Sequence, residues 1–284
     1  MENSKILMKT FSHLTICSLF LVSLLFAHGA FSQAAEVKVF AHRGGKLEFD
    51  ENTIQAFQSS YDKGLRGFET DIRKTKDDHL VVFHDGDFKR IFGRDGSIEA
   101  FTLEEVKALR TEHGNQIPTL DEVLEFMNSK PWLYVEFELK TRGSEYTDEM
   151  LEDYVDEIYE KIYSNKPPTS DYVITSFDKR PLRYLKGKYP NVDLLFIKNK
   201  GLSEELIAEA EEIGVKRIGC RIERTSRDMV KLAKKRGFII SLWPGLSIED
   251  FLLAVQLDSD YICTDVPVEV YKWVKENAPW ISLK

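Results

Sequence analysis

Short apolar segments alternate with longer amphipathic segments along most of the chain. Eight segments rich in β-branched and aromatic residues predict strands: Val37–His42, Gly67–Arg73, Leu133–Leu139, Tyr172–Phe177, Asp193–Ile197, Lys216–Cys220, Phe238–Trp243 and Asp260–Thr264. Segments with helical spacing lie between most of them: Thr53–Lys63, Asp148–Tyr163, Pro181–Lys188, Glu204–Ile213, Ser226–Arg236, Ile248–Gln256 and Pro267–Glu276. This alternation over about 240 residues predicts an α/β fold, a (β/α)8 TIM-type barrel.

The competing architecture is a doubly wound sheet. That fold binds nucleotides through a glycine-rich loop after a strand, and no predicted strand is followed by such a loop. The sequence also contains no internal repeat, low-complexity segment or proline-rich linker. We therefore expect residues 35–284 to form a single barrel domain.

One strand-like segment, Leu80–His84, interrupts the alternation. It follows Arg73 by only a few residues, whereas a parallel crossover needs a dozen or more, so it predicts an antiparallel hairpin after the second strand. A two-residue turn at Asp77-Asp78 would set His84 opposite Asp71. The hairpin is therefore expected to fold His84 back toward the carboxylates of the second strand.

Acidic side chains lie near the carboxyl ends of the second and third predicted strands. Residues two apart share one face of a strand, so Glu69 and Asp71 point the same way, as do Glu136, Glu138 and Lys140. Carboxylates that face a barrel interior are costly unless they are paired or bound to a metal. Because their donors are oxygens, they favour one Ca²⁺ or Mg²⁺ ion over a softer metal.

Two histidines lie near the same strand ends. His42 ends the first strand and His84 the hairpin, and no cluster of cysteines and histidines has zinc spacing. Two imidazoles beside a carboxylate-bound metal suit a general base and a general acid for phosphoryl transfer. Arg43 and Lys140 would offset charge on the phosphate oxygens.

The overall charge limits the choice of partner. The formal net charge is -8, and no basic face indicates a nucleic-acid partner. An acidic protein that acts on an anionic substrate needs local positive charge, which a divalent cation supplies. Hydrophobic residues make up 43% of the chain, enough for one large core. Nothing in the sequence specifies an oligomeric state.

The first 34 residues predict a secretory signal peptide. Lys5 and Lys9 precede the apolar run Leu14–Ala27, which is short for a membrane span, and small residues follow it. Cleavage after Ser32 or Ala34 would leave a mature chain with no stable membrane span, exported to the periplasm or secreted. The alternative is a retained membrane anchor.

The mature chain would keep two cysteines, Cys220 and Cys263. They fall on predicted strands that lie two apart in the barrel, whereas a disulfide needs Cα atoms within about 7 Å. Two buried free thiols are expected.

The same residues carry a family resemblance. The chain resembles glycerophosphodiester phosphodiesterases, in the family's order, over about residues 38–267. The matching motifs are Ala41-His42-Arg43-Gly44, Glu51-Asn52-Thr53, Glu69-Thr70-Asp71, Thr75-Lys76-Asp77, Val82-Phe83-His84-Asp85, Ile117-Pro118-Thr119-Leu120, Glu138-Leu139-Lys140, Ser176-Phe177 and Thr264-Asp265-Val266-Pro267.

The resemblance implies a metal-dependent enzyme that hydrolyses small-molecule glycerophosphodiesters to sn-glycerol 3-phosphate and an alcohol. By position, Glu69, Asp71 and Glu138 match the family's metal ligands. His42 and His84 match its acid/base pair, while Arg43, Lys140 and Trp243 match substrate-binding positions. In the mechanism that the resemblance implies, one histidine activates the glycerol 2-hydroxyl and the other protonates the leaving alcohol, after which water opens a cyclic phosphate. We take His42 as the base.

The chain departs from the family at three places. Trp243-Pro244-Gly245 replaces a different motif, so the loop after Trp243 should differ, since proline fixes φ and removes a donor. Glu136 stands where the family often has a neutral residue, and is either an additional ligand or an acid behind the ligands. The segment Gly86–Gln116, where some relatives carry a large insertion, is short, so little of the chain is expected to cover the pocket.

Two other functions fit parts of the pattern. The first is a phospholipase C or sphingomyelinase D type of enzyme on membrane lipids, which needs an apolar or basic docking loop; Phe88–Phe92 is a candidate. The second is a non-catalytic barrel that binds phosphoesters, which would have lost a histidine or a carboxylate. Neither His42 nor His84 is missing.

Overall fold

A computed structural model describes residues 35–141 and 146–283. The predicted signal peptide, residues 1–34, lies outside the described residues. Among the residues described, no helix is both long and apolar enough to cross a membrane.

Eight parallel strands close into a barrel, as predicted. The sheet order is β10-β1-β9-β8-β7-β6-β5-β4-β2-β3, and a further pairing of Ala41 with Phe68 joins β1 to β2 and closes the ring. The strands of the described residues are β1 Ala35–Ala41, β2 Gly67–Lys74, β3 Leu80–Val82, β4 Tyr134–Leu139, β5 Asp171–Ser176, β6 Leu194–Ile197, β7 Arg217–Arg221, β8 Ile239–Gly245, β9 Tyr261–Thr264 and β10 Ile281–Leu283.

Helices cover the outside of the barrel, where their apolar faces pack on the strands. They are α1 Ile54–Asp62, α2 Lys89–Phe92, α3 Leu103–Ala108, α4 Leu120–Asn128, α5 Asp148–Ser164, α6 Lys179–Lys188, α7 Glu204–Glu212, α8 Arg227–Lys235, α9 Ile248–Leu257 and α10 Pro267–Asn277. Seven of these begin after a serine or threonine whose side chain accepts a hydrogen bond from a backbone N–H of the first turn: Thr53, Thr102, Thr119, Thr147, Ser203, Ser226 and Ser247.

The hairpin after β2 forms, but its predicted register is wrong by one residue. Lys74 pairs with Leu80, and the amide of Phe83, not of His84, bonds to the carbonyl of Asp71 at 3.0 Å. The turn has three residues, because Asp78 adopts a left-handed conformation (φ 64°) that accommodates the extra residue. His84 lies beyond the end of β3, so strand alternation does not set the direction of its side chain.

Helix α4 was not among the predicted helices. The chain pairs beside β3 at Thr119, and α4 then provides the crossover from β2 to β4. Thr119 and Glu122 form a reciprocal capping box, a sequence signal that marks the start of a helix. The apolar residues that follow have helical spacing, so this helix was readable from the sequence.

The segment between β3 and α4 has its own hydrophobic core. Its buried residues are Val81, Phe83, Phe88, Ile98, Val106, Leu109 and Ile117. Phe88 is fully buried, and Phe92 packs against it with ring centroids 5.8 Å apart. The aromatic residues of the candidate docking loop therefore point into this core.

The interior of the barrel holds a second apolar cluster. It comprises Phe40, Tyr134, Val173, Leu195, Ile197, Tyr261 and Cys263. Cys220 and Cys263 are both buried free thiols, as predicted, on β7 and β9 with β8 between them. Burial raises the pKa of both thiols. This cluster fills the barrel below the strand ends that carry the polar groups.

Candidate active site

The register of β2 against β4 brings three carboxylates together. Glu69 pairs with Glu136 and Asp71 with Glu138, so the acidic residues of both strands lie side by side. One oxygen from each of Glu69, Asp71 and Glu138 lies within 4.8 Å of the others. All three residues are buried.

Their proximity strongly perturbs their ionisation. Burial raises the pKa of Glu69 well above its usual value, and the charges of Asp71 and Glu138 raise it further. Burial also opposes ionisation of Asp71, but neighbouring cations, Lys140 foremost, hold its pKa well below the usual range. The cluster therefore has more negative charge than its protein surroundings neutralise.

Two basic side chains reach the cluster. The Lys140 ammonium lies 2.7 Å from Asp71 Oδ1 and 2.6 Å from Glu138 Oε1. Arg43 donates to Glu51 at 2.9 Å, and its Nε lies 3.5 Å from Asp71 Oδ2. Both predicted phosphate contacts are therefore beside the carboxylates.

His42 lies next to the carboxylates and is held by a further one. Its Nδ1 lies 2.5 Å from Asp265 Oδ1, and its Nε2 lies 3.7 Å from Glu69 Oε2. Burial lowers the pKa of His42 to about 4, although the hydrogen bond to Asp265 opposes this shift. Asp265 thus orients the ring and leaves Nε2 facing the carboxylate cluster.

A tight turn directs the residues that follow β1. Arg43 and Gly44 are both left-handed, with φ of 51° and 82°. A Cβ atom on Gly44 would lie 2.9 Å from the Cβ of Ala56, so only glycine allows this turn to pack against α1. The backbone N–H of Arg43 then donates to Glu69 Oε2 at 3.1 Å.

His84 belongs to a chain of alternating charges. Its Nδ1 lies 2.7 Å from Asp85 Oδ1, and Arg90 donates to the other oxygen of Asp85 at 2.7 Å. Arg90 also forms a two-pronged ion pair with Glu51, which bonds in turn to Arg43. The loops that carry the two histidines are therefore tied together.

An inner cavity and an outer groove meet at this site. The inner cavity, about 90 Å³, is lined by His42, Arg43, Glu69, His84, Glu136, Glu138, Phe177, Leu195, Ile197, Gly219, Ser241, Trp243 and Cys263. The outer groove, about 980 Å³, contains His84, Lys140 and Trp243 but not His42. Trp243 packs edge-on against Phe177, with ring centroids 5.8 Å apart.

Glu136 faces inward, as predicted, but lies outside the group of three carboxylates. The Tyr134 hydroxyl donates to its Oε1 at 2.6 Å. Burial raises the pKa of Glu136 to about 7. Its position places a carboxyl group on the floor of the inner cavity, below the ligand candidates.

Sequence reasoning assigned no role to several residues that complete the site. Asp265 directly follows the last residue of β9 and is buried, so the rule that strand ends carry the site would have found it. Asn52 donates to Asp71 Oδ2 at 2.8 Å and accepts from Thr70, a contact that depends on the left-handed turn at Asn52. No strand rule locates such a contact.

The donor set fits a hard divalent cation. Glu69 Oε1 is buried and has no hydrogen-bond partner among the described residues. Three carboxylates supply only oxygen donors, which suit Ca²⁺ or Mg²⁺. A second group, His42, Glu69 and Cys263, also lies within 4.8 Å. It suits Ca²⁺ or Mg²⁺ less well, because it offers a nitrogen and a soft sulfur donor beside a single carboxylate.

Comparison with known families gives a match over most of the chain. Residues 42–269 match the model of the Glycerophosphoryl diester phosphodiesterase family. A glycerophosphodiester phosphodiesterase of Caldanaerobacter subterraneus subsp. tengcongensis is 30% identical over 248 residues, which cover 84% of this chain and 98% of the relative.

Solved structures show the same fold. A glycerophosphodiester phosphodiesterase from Parabacteroides distasonis superposes with a TM-score of 0.71 at 25% identity, covering 87% of this chain and 99% of its own. A phosphodiesterase from Oleispira antarctica, solved in complex with the product sn-glycerol-3-phosphate, gives a TM-score of 0.76 at 20% identity, covering 84% and 96% of the two chains.

Substitution of Asp71 tests which carboxylates bind the cation. In Asp71→Asn, we expect the affinity for Ca²⁺ or Mg²⁺ in titration calorimetry to fall at least about tenfold, since even indirect partners of a metal cost that much. In Glu136→Gln, the affinity should fall less than in Asp71→Asn, because Glu136 lies outside the group of three carboxylates. An equal loss in both variants would contradict this arrangement.

Proposed function

Because the chain belongs to the glycerophosphoryl diester phosphodiesterase family, we propose that it hydrolyses glycerophosphodiesters to sn-glycerol 3-phosphate and an alcohol. One observation carries the proposal: two carboxylate-held imidazoles and the carboxylates Glu69 and Glu138 line a single cavity. That cavity can hold a phosphodiester between a proton acceptor and a proton donor.

The two spaces at the site support different roles for the two histidines. His42 lines only the inner cavity, whereas His84 lines both the cavity and the outer groove. The glycerol phosphate then occupies the inner cavity, with the leaving alcohol in the groove. His42 Nε2 accepts the proton of the glycerol 2-hydroxyl as that oxygen attacks phosphorus. His84 donates a proton to the alcohol oxygen as its bond to phosphorus breaks.

The second half of the reaction returns both histidines to their starting state. The first step leaves a cyclic phosphate, with His42 protonated and His84 neutral. His84 then accepts a proton from water as the water oxygen attacks phosphorus. His42 returns its proton to the glycerol 2-oxygen as the bond between that oxygen and phosphorus breaks, which yields sn-glycerol 3-phosphate. Asp265 and Asp85 hold the two rings in place through Nδ1 in both steps.

A divalent cation, Ca²⁺ or Mg²⁺, completes the electrostatics of the site in this proposal. Glu69, Asp71 and Glu138 are the residues that would hold it. Such a cation stabilises negative charge on the phosphate oxygens during the reaction. Arg43 and Lys140 supply additional positive charge, and Trp243 lines the wall of both spaces.

Export is a separate part of the proposal. Its support is the pattern of Lys5, Lys9 and the apolar run Leu14–Ala27, which is typical of a secretory signal peptide. Residues 1–34 would be removed, and residues 35–284 would act as a single catalytic domain in the periplasm or outside the cell.

The reaction is tested with purified protein and glycerophosphocholine. We expect release of glycerol 3-phosphate, measured by a coupled dehydrogenase assay, in the presence of Ca²⁺ or Mg²⁺. Excess chelator should abolish the release, and added cation should restore it, because the carboxylates need a counter-charge. Absence of product across a panel of glycerophosphodiesters with either cation would contradict the proposed activity.

The role of His84 is tested by its removal. In His84→Ala, turnover should fall about 10²- to 10⁴-fold, the usual effect of losing a general acid, while cation affinity is unchanged. The control is His79→Ala at the exposed turn of the same hairpin, which should leave turnover and cation binding intact. Full activity in His84→Ala would show that His84 takes no part in the reaction.

Export is tested by expression of the full chain in a bacterial host with a periplasm. We expect the periplasmic protein to begin at Gln33 or Ala35 by mass spectrometry. Leu24→Lys with Leu25→Lys, which charges the apolar run, should retain unprocessed protein in the cytosol. An intact amino terminus on periplasmic or membrane-bound protein would contradict cleavage.

A further inference from the structure

Glu136 is the one carboxyl group of the inner cavity that the proposed reaction leaves without a task. It lies on β4 two residues before Glu138, on the same face of the strand but deeper in the barrel. Only 4% of the residue is exposed, yet its side chain lines the cavity. A carboxyl oxygen that faces a cavity is available to hydrogen-bond with the molecule that occupies it.

The protein accounts for only one of its two oxygens. Tyr134, one alternation deeper on the same strand, donates to Oε1 at 2.6 Å. Among the described residues, no group donates to Oε2. Below Tyr134, the aromatic rings of Phe40 and Tyr261 fill the barrel, with Tyr134 and Tyr261 centroids 4.5 Å apart. The Arg217 guanidinium acts on Glu136 through its charge but forms no hydrogen bond with it, so Oε2 is left to a group inside the cavity.

The rest of the cavity indicates what that group is. Phe177, Leu195 and Ile197 form an apolar wall opposite the catalytic side chains. A ligand that fills this space needs carbon atoms on one side and a hydrogen-bond donor directed at the floor. The glycerol unit of the proposed substrate has both: its 2-hydroxyl is the nucleophile, and its terminal hydroxyl is a free donor.

We propose that Glu136 binds the terminal hydroxyl of the substrate glycerol and thereby selects substrates in which this hydroxyl is free. The assignment rests on the proposed function. An ionised Glu136 accepts from this hydroxyl and a protonated one donates to it, so either form binds the terminal hydroxyl. A lysophospholipid acylated at that oxygen offers no donor, and a cavity of about 90 Å³ closed by the barrel core has no room for its chain.

The selectivity follows from the cost of leaving a buried acceptor unpaired. Sites built around a substrate hydroxyl discriminate strongly against analogues that lack it. A single hydrogen bond to a charged or buried group corresponds to about a tenfold to hundredfold preference. The head-group alcohol lies in the outer groove, where Glu136 does not contact it.

The test compares two substrates that differ in one atom. Glycerophosphocholine carries the terminal hydroxyl, and the phosphocholine diester of propane-1,2-diol lacks it but keeps the nucleophilic hydroxyl. For the parent enzyme, kcat/KM should favour glycerophosphocholine by about tenfold to hundredfold. In Glu136→Met, which keeps the length of the side chain, this ratio should fall to within about threefold of unity, mainly through a higher KM for glycerophosphocholine.

Two further variants separate recognition from folding and from general changes in the cavity. Tyr134→Phe combined with Glu136→Met removes both hydrogen-bonding partners, which is better tolerated than removing one. It should show the same loss of preference if the single variant fails to fold. Ser241→Ala alters another polar residue of the same cavity and should keep the parent ratio.

Three results would count against the proposal. If the Glu136→Met variants are active and keep the full preference for glycerophosphocholine, the role of Glu136 is wrong, while the proposed activity stands. If Ser241→Ala loses the preference for glycerophosphocholine and Glu136→Met keeps it, Ser241 and not Glu136 binds the terminal hydroxyl. A parent enzyme that releases glycerol 3-phosphate from no glycerophosphodiester overturns the proposed activity, and the role of Glu136 with it.

Discussion

The structure depends on one electrostatic constraint: the register of β2 against β4 buries several carboxylates at one end of a barrel. An ionised carboxylate in such a place is stable only with nearby positive charge or hydrogen-bond donors. Lys140 contacts Asp71 and Glu138, and Asn52 donates to Asp71. Glu69 receives the backbone N–H of Arg43, but its other oxygen is buried and has no partner in the part of the chain that the structure describes. This unmet demand is what a divalent cation would satisfy.

The two histidines are likewise held by contacts with carboxylates. Each imidazole has its Nδ1 beside a carboxylate, Asp265 for His42 and Asp85 for His84, so that Nε2 is the ring nitrogen directed away from that carboxylate. Arg90 joins Asp85 to Glu51, and Glu51 joins Arg43. Because the links alternate in charge, each also neutralises its neighbour. These links connect the two sides of the cavity.

Sequence reasoning located most of the polar residues because a parallel barrel puts all strand ends at one face. It failed where the local backbone conformation determines strand register or the start of a helix. The hairpin register was wrong by one residue because Asp78 takes a left-handed conformation, which a count of residues does not reveal. Helix α4 was missed although its capping box was in the sequence. Asp265 was named only within a family motif and received no role, because catalytic and metal-binding roles were predicted only for the ends of the first three strands and the hairpin.

The sequence by itself determined the barrel, the family resemblance, and the identity of the carboxylates and histidines, because these follow from periodicity, strand order and motif order. Only the tertiary structure decided how these side chains are arranged. It brought Asp265 to His42 across most of the chain length, separated an inner cavity from an outer groove, and placed Glu136 on the cavity floor. These features depend on side chains from distant strands meeting in the barrel, and no local pattern along the chain encodes such distances.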